Sequence, residues 1–256
     1  MQVASLGSGS KGNGTLVRSG DLLCLVDCGF TLKETCLRLA RLGVQPEQLD
    51  AVLVTHEHGD HSRGVAALAA RYDLTVYASF GTCQAVPERL GLSRCRIHEV
   101  RPGRPFTVGN LRVEPVPVPH DAREPCQYVF DSGQRRLGVL TDLGSVTGQV
   151  LESYHDCDAL VLEANHDTGM LAGGPYPPSL KRRVGGRLGH LSNDQSANLL
   201  GSINHERLQH LVMSHLSEQN NTPQRVWQAV TAAIPVGHER ITVASQNRGF
   251  DWLTIN

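Results

Sequence analysis

The sequence lacks most features that would assign it to a class at once. Aromatic residues are only 5% of its 256 residues, too few for an extended base-stacking channel. No apolar run reaches the length of about 18 residues that a membrane span needs, and the first eleven residues have no signal-peptide core, so neither a span nor export is expected. Charge of one sign is missing too. Lys and Arg total 24 against 25 Asp and Glu, with a net charge of −1. Any polyanion site must therefore be local. Seven cysteines (24, 28, 36, 83, 95, 126, 157) include no CxxC pair. An odd, unpatterned set reads as reduced thiols in a cytoplasmic protein. Low-complexity tracts, linkers and short repeats are absent.

What is present is enough apolar material, 40% of residues, for a sizeable core. A single domain over residues 1–256 is expected. The most informative stretch is Thr55-His56-Glu57-His58-Gly59-Asp60-His61, directly after the apolar run Ala51–Val54. Such a run reads as a buried strand. The cluster thus falls where a strand becomes a loop, a usual place for chemistry. His56 and His58 are two apart, so in extended chain they point the same way and can grip one cation. Asp60 and His61, on the turning chain, suit a second.

His56-x-His58-x-Asp60-His61 after Thr55 resembles the signature of the metallo-β-lactamase-fold hydrolases. The resemblance covers nearly the whole chain and implies an α/β fold, a four-layer αβ/βα sandwich of two mixed sheets flanked by helices. It implies two divalent metal ions, zinc or manganese. His58 stands where related di-iron flavoproteins carry Glu, which favours hydrolysis over redox chemistry. The resemblance assigns His56, His58 and His120 to one ion and Asp60, His61 and His215 to the other, with Asp142 shared. Asp27 is implied to support the His loop from behind the ligands; its simpler reading is a strand-end cap. A metal-bridging hydroxide is the implied nucleophile.

Three features point the implied hydrolysis toward phosphodiesters. Glu163 and Gly189-His190-Leu-Ser resemble the Glu and Gly-His-Ser/Thr pair of ribonuclease Z-like phosphodiesterases, where a carboxylate-held His protonates the leaving group; the plainer reading of His190 is a helix-start residue. Lys181, Arg182, Arg183 and Arg187 lie beside it in sequence and suit a phosphate backbone, although charged patches are commonly solvated faces. Ser8–Asn13, Leu162–His166, Gly189–Asn193 and Ser214–Asn221 together resemble a bacterial group of the family, WalJ (YycJ). That group implies a 5′→3′ DNA exonuclease acting with DNA-repair proteins, hence nucleic acid, DNA first, as substrate. A small-molecule hydrolase (a cyclic-nucleotide phosphodiesterase, thioesterase or lactonase) is the alternative. The stretch between Asp142 and His215 has no room for a large inserted nucleic-acid clamp domain.

In the glycine-rich stretch Gly7–Gly14, Lys11 and Asn13 suit a phosphate near the metals; the bland reading is a simple turn. Walker spacing is missing. Strands are expected at Val3–Leu6, Leu16–Arg18, Leu22–Cys28, Ala51–Thr55, Leu74–Ala78, Phe106–Val108, Leu111–Val118, Tyr128–Asp131, Leu137–Thr141, Ala159–Leu162, from Leu211, Ile241–Ala244 and Asp251–Ile255. Helices are expected over Leu32–Leu42, Val65–Ala70, Thr82–Leu90, Asp194–Ile203 and Gln224–Ala233.

Overall fold

The structure is a computed structural model, describing residues 1–85, 95–203, 206–234 and 237–256. The chain first lays down strands β1 (Gln2–Gly7), β2 (Gly14–Ser19) and β3 (Leu22–Val26). Helix α1 (Leu32–Arg41) leads to β4 (Ala51–Leu53). The short α2 (Gly59–Ser62) and α3 (Val65–Tyr72) precede β5 (Thr75–Ser79), and α4 (Phe80–Ala85) and β6 (Arg96–Val100) follow. Next come β7 (Phe106–Val108), β8 (Leu111–Pro117), β9 (Cys126–Asp131) and β10 (Arg136–Leu140). Helix α5 (Gly148–Tyr154) leads to β11 (Ala159–Glu163), and α6 (Thr168–Gly173), α7 (Pro178–Val184) and α8 (Asn193–Ser202) lead to β12 (His210–Ser214). Helix α9 (Pro223–Ala233), β13 (Ile241–Val243) and β14 (Phe250–Thr254) complete it.

Two seven-stranded mixed sheets result, in the orders β14-β1-β2-β3-β4-β5-β6 and β13-β12-β11-β10-β9-β8-β7. Strand β14 leaves the second half of the chain to pair antiparallel with β1. The strands read as unbroken apolar runs because both faces are buried. In β3, Leu23 and Leu25 pack outward, while Cys24 and Val26 point between the sheets. In β11, Leu160 and Leu162 face outward, and Ala159 and Val161 face the other sheet. The middle core is therefore sheet against sheet. Leu39 of α1 and Leu68 of α3 cover one outer face; Val150 of α5, Leu199 of α8 and Val226 of α9 cover the other.

Pairs β3–β4–β5–β6 and β10–β11–β12–β13 are parallel. In open α/β sheets, ligand sites form beyond the carboxyl ends of such strands. Asp27 follows β3, the His loop follows β4, Asp142 follows β10, Glu163 ends β11 and His215 follows β12. His120 reaches the same edge after the antiparallel β8.

The expected strands and helices match observed ones closely, with several differences. The helix expected at Thr82–Leu90 begins earlier, at Phe80, and residues 86–94 lie outside the described ones. Strand β6 and helices α2, α5, α6 and α7 were not anticipated. Helix α7 fully buries none of its residues and carries only the apolar pair Leu180 and Val184 on one face; β6 is an edge strand with four exposed residues and shows no clean alternation.

Candidate metal centre

Each strand end presents its polar side chain through a specific local device. Asp27, Asp142 and His215 have φ of 61, 52 and 54°. Asp and His visit this left-handed region more readily than most residues, but the surroundings must hold them there. Asp27 N–H donates to Leu53 O at 2.8 Å, and His215 N–H to Ser8 Oγ at 2.8 Å. Gly29 lets the chain pass against Asp60, because a Cβ at Gly29 would collide with the Asp60 carbonyl oxygen.

The imidazoles are oriented by their remote nitrogens. Thr55 Oγ1 donates to Asp27 Oδ2 at 2.8 Å, so it accepts from His56 Nδ1 at 3.0 Å, which leaves His56 Nε2 for the site. His120 Nδ1 donates to Gly189 O at 3.0 Å, again freeing Nε2. His58 does the reverse: Nε2 donates to Asp121 O at 3.2 Å, and Nδ1 lies 3.3 Å from His120 Nε2. His61 Nδ1 donates to Asp27 Oδ2 at 2.8 Å. His56, His58 and His120 thus converge on one point, and Asp60, His61 and His215 on another, with the ligand atoms of each group within 4.8 Å of one another.

Asp142 lies between the groups. Its Oδ1 is 3.9 Å from His120 Nε2 and 3.7 Å from His215 Nε2, and its Oδ2 is 3.0 Å from His61 Nε2. His61 Nε2 and His215 Nε2 sit 3.6 and 3.7 Å from Asp60 Oδ2. Apart from the 3.0 Å contact between His61 and Asp142, those separations are too long for hydrogen bonds. They suit ligands of a single cation, which at metal–ligand lengths near 2.1 Å lie about 3–4 Å apart. His56 Nε2 and His215 Nε2 are buried without a hydrogen-bond partner. Buried orphans of this kind are costly unless something pairs with them, and a divalent cation fits both.

The two groups differ electrostatically. Burial, together with the neighbouring imidazoles, holds the His56 pKa well below 6.5, and burial also lowers that of His120. His56 and His120 thus favour the neutral, metal-binding form. Around the second, carboxylates dominate. Burial opposes charge on His61 and His215, but Asp142 with Asp27 and Asp60 raises the pKa of His61, and Asp142, Asp60 and Glu163 push that of His215 up to about 10. A cation bound there would have to displace protons from these histidines.

Glu163 is fully buried and holds two histidines. Its Oε1 accepts from His190 Nδ1 at 2.7 Å and lies 3.2 Å from His215 Nδ1; its Oε2 accepts from the N–H groups of Leu143 and Leu191 at 3.1 and 3.0 Å. Burial works against its charge, but His190 and these bonds hold its pKa at about 2. The same carboxylate raises the pKa of His190 against the effect of burial. With Nδ1 committed to Glu163, Nε2 is the nitrogen that His190 has left to offer the cavity it lines.

A cavity of about 350 Å³ opens onto these groups, lined among others by His58, Asp60, Asp142, His190 and His215. The expected basic residues divide around it. Arg183 lines the cavity, its Nε 2.6 Å from Asp121 Oδ2. Lys181 instead donates to Ala172 O at 2.6 Å, and Arg182 and Arg187 are exposed elsewhere. Lys11 does not face the cavity as expected. It pairs with Glu218 at 2.6 Å and lines a separate groove with Phe30 and Arg38. Asn13 is buried behind the loop rather than displayed to a substrate. Its side chain accepts from Gly9 N–H at 2.8 Å, donates to Asp60 O at 3.2 Å, and lies 3.0 Å from His61 Nε2. Sequence reasoning missed Asp121, Asn165 and Tyr176 of the cavity. Asp121 was signalled only by standing next to His120; nothing local marked Tyr176.

Residues 24–215 match the Beta-lactamase superfamily domain. The chain is 34% identical over 232 residues to exodeoxyribonuclease YycJ of Bacillus anthracis, covering 90% of this chain and 87% of the relative. It is 36% identical over 219 residues to exodeoxyribonuclease WalJ of Streptococcus pneumoniae serotype 2, covering 84% and 81%. Among solved structures, Zn(2+)-bound PqqB from Methylobacterium extorquens has the same fold, with a TM-score of 0.75 at 19% identity over 99% of this chain and 100% of that one.

Proposed function

The chain belongs to the metallo-β-lactamase superfamily, and from that premise we propose that it is a dinuclear metal-dependent phosphodiesterase that degrades DNA from 5′ ends. His56, His58 and His120 would hold one ion, Asp60, His61 and His215 the other, and Asp142 both; zinc or manganese suits this nitrogen and oxygen donor set. Such a pair, when bound, supplies acidified water and neutralises phosphate charge.

The observation that carries the reading is the placement of His190. It stands beside both groups, its ring 5.3 Å from that of His120 and 5.2 Å from that of His215, with its proton-donating edge set by Glu163. Esters with good leaving groups need no such donor. A phosphodiester that releases a sugar alkoxide does, because that oxygen leaves poorly without a proton. The exodeoxyribonuclease names of the relatives at 34 and 36% identity support DNA as substrate.

Behind the ligands, Asp27 accepts from His61 Nδ1 and from the backbone N–H and hydroxyl of Thr55. Such supports typically govern metal affinity by about 10–100-fold. Asp27→Asn tolerates the positive φ but removes the charge. It is expected to weaken metal retention by about that factor in a chelator competition, with Asp251→Asn, whose exposed side chain pairs with Arg41, as the comparison.

The proposal is tested with Mn²⁺ or Zn²⁺ and DNA labelled at either end. Early release of a mononucleotide carrying the 5′ label is expected. DNA and RNA left intact while a cyclic nucleotide, a thioester or a lactone is hydrolysed would overturn it.

A further inference from the structure

The cavity has two unlike sides. The His and Asp groups form one. The other is the segment around α7, where Leu180, Arg183 and Val184 line the cavity. Their i, i+3, i+4 spacing puts them on one helix face, which is why Lys181 and Arg182 are turned away. Tyr176 joins them, and it is the one non-histidine aromatic ring lining the cavity among the described residues. Tyr176 and Leu180 are each half-buried.

The backbone that carries the ring is restrained. Pro175, Pro177 and Pro178 flank Tyr176, and each fixes its own φ. Gly174 packs against Asn220, whose carbonyl oxygen accepts from Asp167 N–H at 2.9 Å. A segment restrained this way loses little backbone freedom when something stacks on its ring. Arg183 adds a cation at the rim. A guanidinium carries five N–H donors, and Asp121 engages the one on Nε.

A ligand matching both sides has an anionic end and a flat, mostly apolar body. The cavity, about 350 Å³, falls at the low end of the roughly 300–1,000 Å³ spanned by small-ligand sites. That volume suits one unstacked unit of a chain and not a duplex.

We propose that Tyr176, backed by Leu180, is the platform on which the base of the terminal nucleotide stacks, while Arg183 holds a phosphate of the same single strand. The inference rests on the nuclease reading and adds its substrate form: a single-stranded end, taken one nucleotide at a time, with little preference for base identity. Stacking recognises any base, since every base has a π-face.

The test compares two 5′-phosphorylated single strands, identical except that the first residue of one is abasic. Wild-type kcat/KM is expected to fall about 10-fold on the abasic strand. Tyr176→Ala should cut the normal strand about 10-fold less efficiently than wild type and lose the distinction between strands. Tyr176→Phe, which keeps the ring, should restore both. Wild-type protein that cuts both strands equally, or a Tyr176→Ala protein that keeps the wild-type preference, overturns the platform and leaves the nuclease reading standing. Wild-type protein that cuts neither strand while hydrolysing another ester overturns both.

Discussion

Asp142→Asn is expected to lower phosphodiester hydrolysis about 10³-fold and to reduce the number of divalent ions the protein retains. Asparagine preserves size and accepts the left-handed backbone at φ 52°. Only the negative charge is lost, at a side chain 2% exposed. In the proposed centre that charge lies between two cations and screens their repulsion. Its oxygens reach toward His120 on one side and toward His61 and His215 on the other. Metal charge at a reacting phosphate is worth several kcal/mol, and each 1.36 kcal/mol is tenfold in rate. Metal analysis and turnover measured on one preparation check both parts. Full activity with both ions retained would show that Asp142 serves only the fold.

His190→Ala gives the second large effect, and its signature is different. Loss of the proton donor should slow cleavage of a sugar-phosphate bond by about 10²–10⁴-fold, the usual span for a positioned acid. Metal content should stay unchanged, because Nδ1 of His190 is committed to Glu163 at 2.7 Å. With a p-nitrophenyl ester, whose leaving oxygen needs no proton, the same variant should act within a few-fold of wild type. Equal losses on both substrates would remove His190 from the acid role. Loss of metal would make it a ligand, a role its place near Asp142 and His215 leaves geometrically open. Glu163 is a poorer probe. It holds His215 as well as His190, so its removal disturbs both proton donor and candidate ligand.

How much of this was written in the chain depended on the kind of signal. The His loop was legible because several ligand types stand within a few residues after an apolar run. Strands β3, β4, β10, β11 and β12 were legible because burial on both faces leaves no polar interruption. Asp27, Asp142, Glu163 and His215 were assigned by the family resemblance, and each stands at the carboxyl end of one of these strands. Tyr176 and Asp121 were not legible. Their roles arise from α7 folding over the strand ends, and α7 buries nothing that would mark it as a helix. The basic run was read as a unit for a related reason. Helical periodicity divides it, setting exposed Arg183 at the cavity rim and Arg182 away from it, and that division is invisible until the run is known to be helical. Lys11 and Asn13 show the same limit in a loop. Their spacing suited an anion, but Glu218 claims the first and the backbone around Asp60 claims the second.

The centre itself is tested most directly by anomalous diffraction from crystals of the protein loaded with manganese or zinc. Two peaks about 3.5–4 Å apart are expected, one among His56, His58 and His120, the other among Asp60, His61 and His215, with Asp142 touching both. A single peak, or ions bound away from these side chains, would contradict the account.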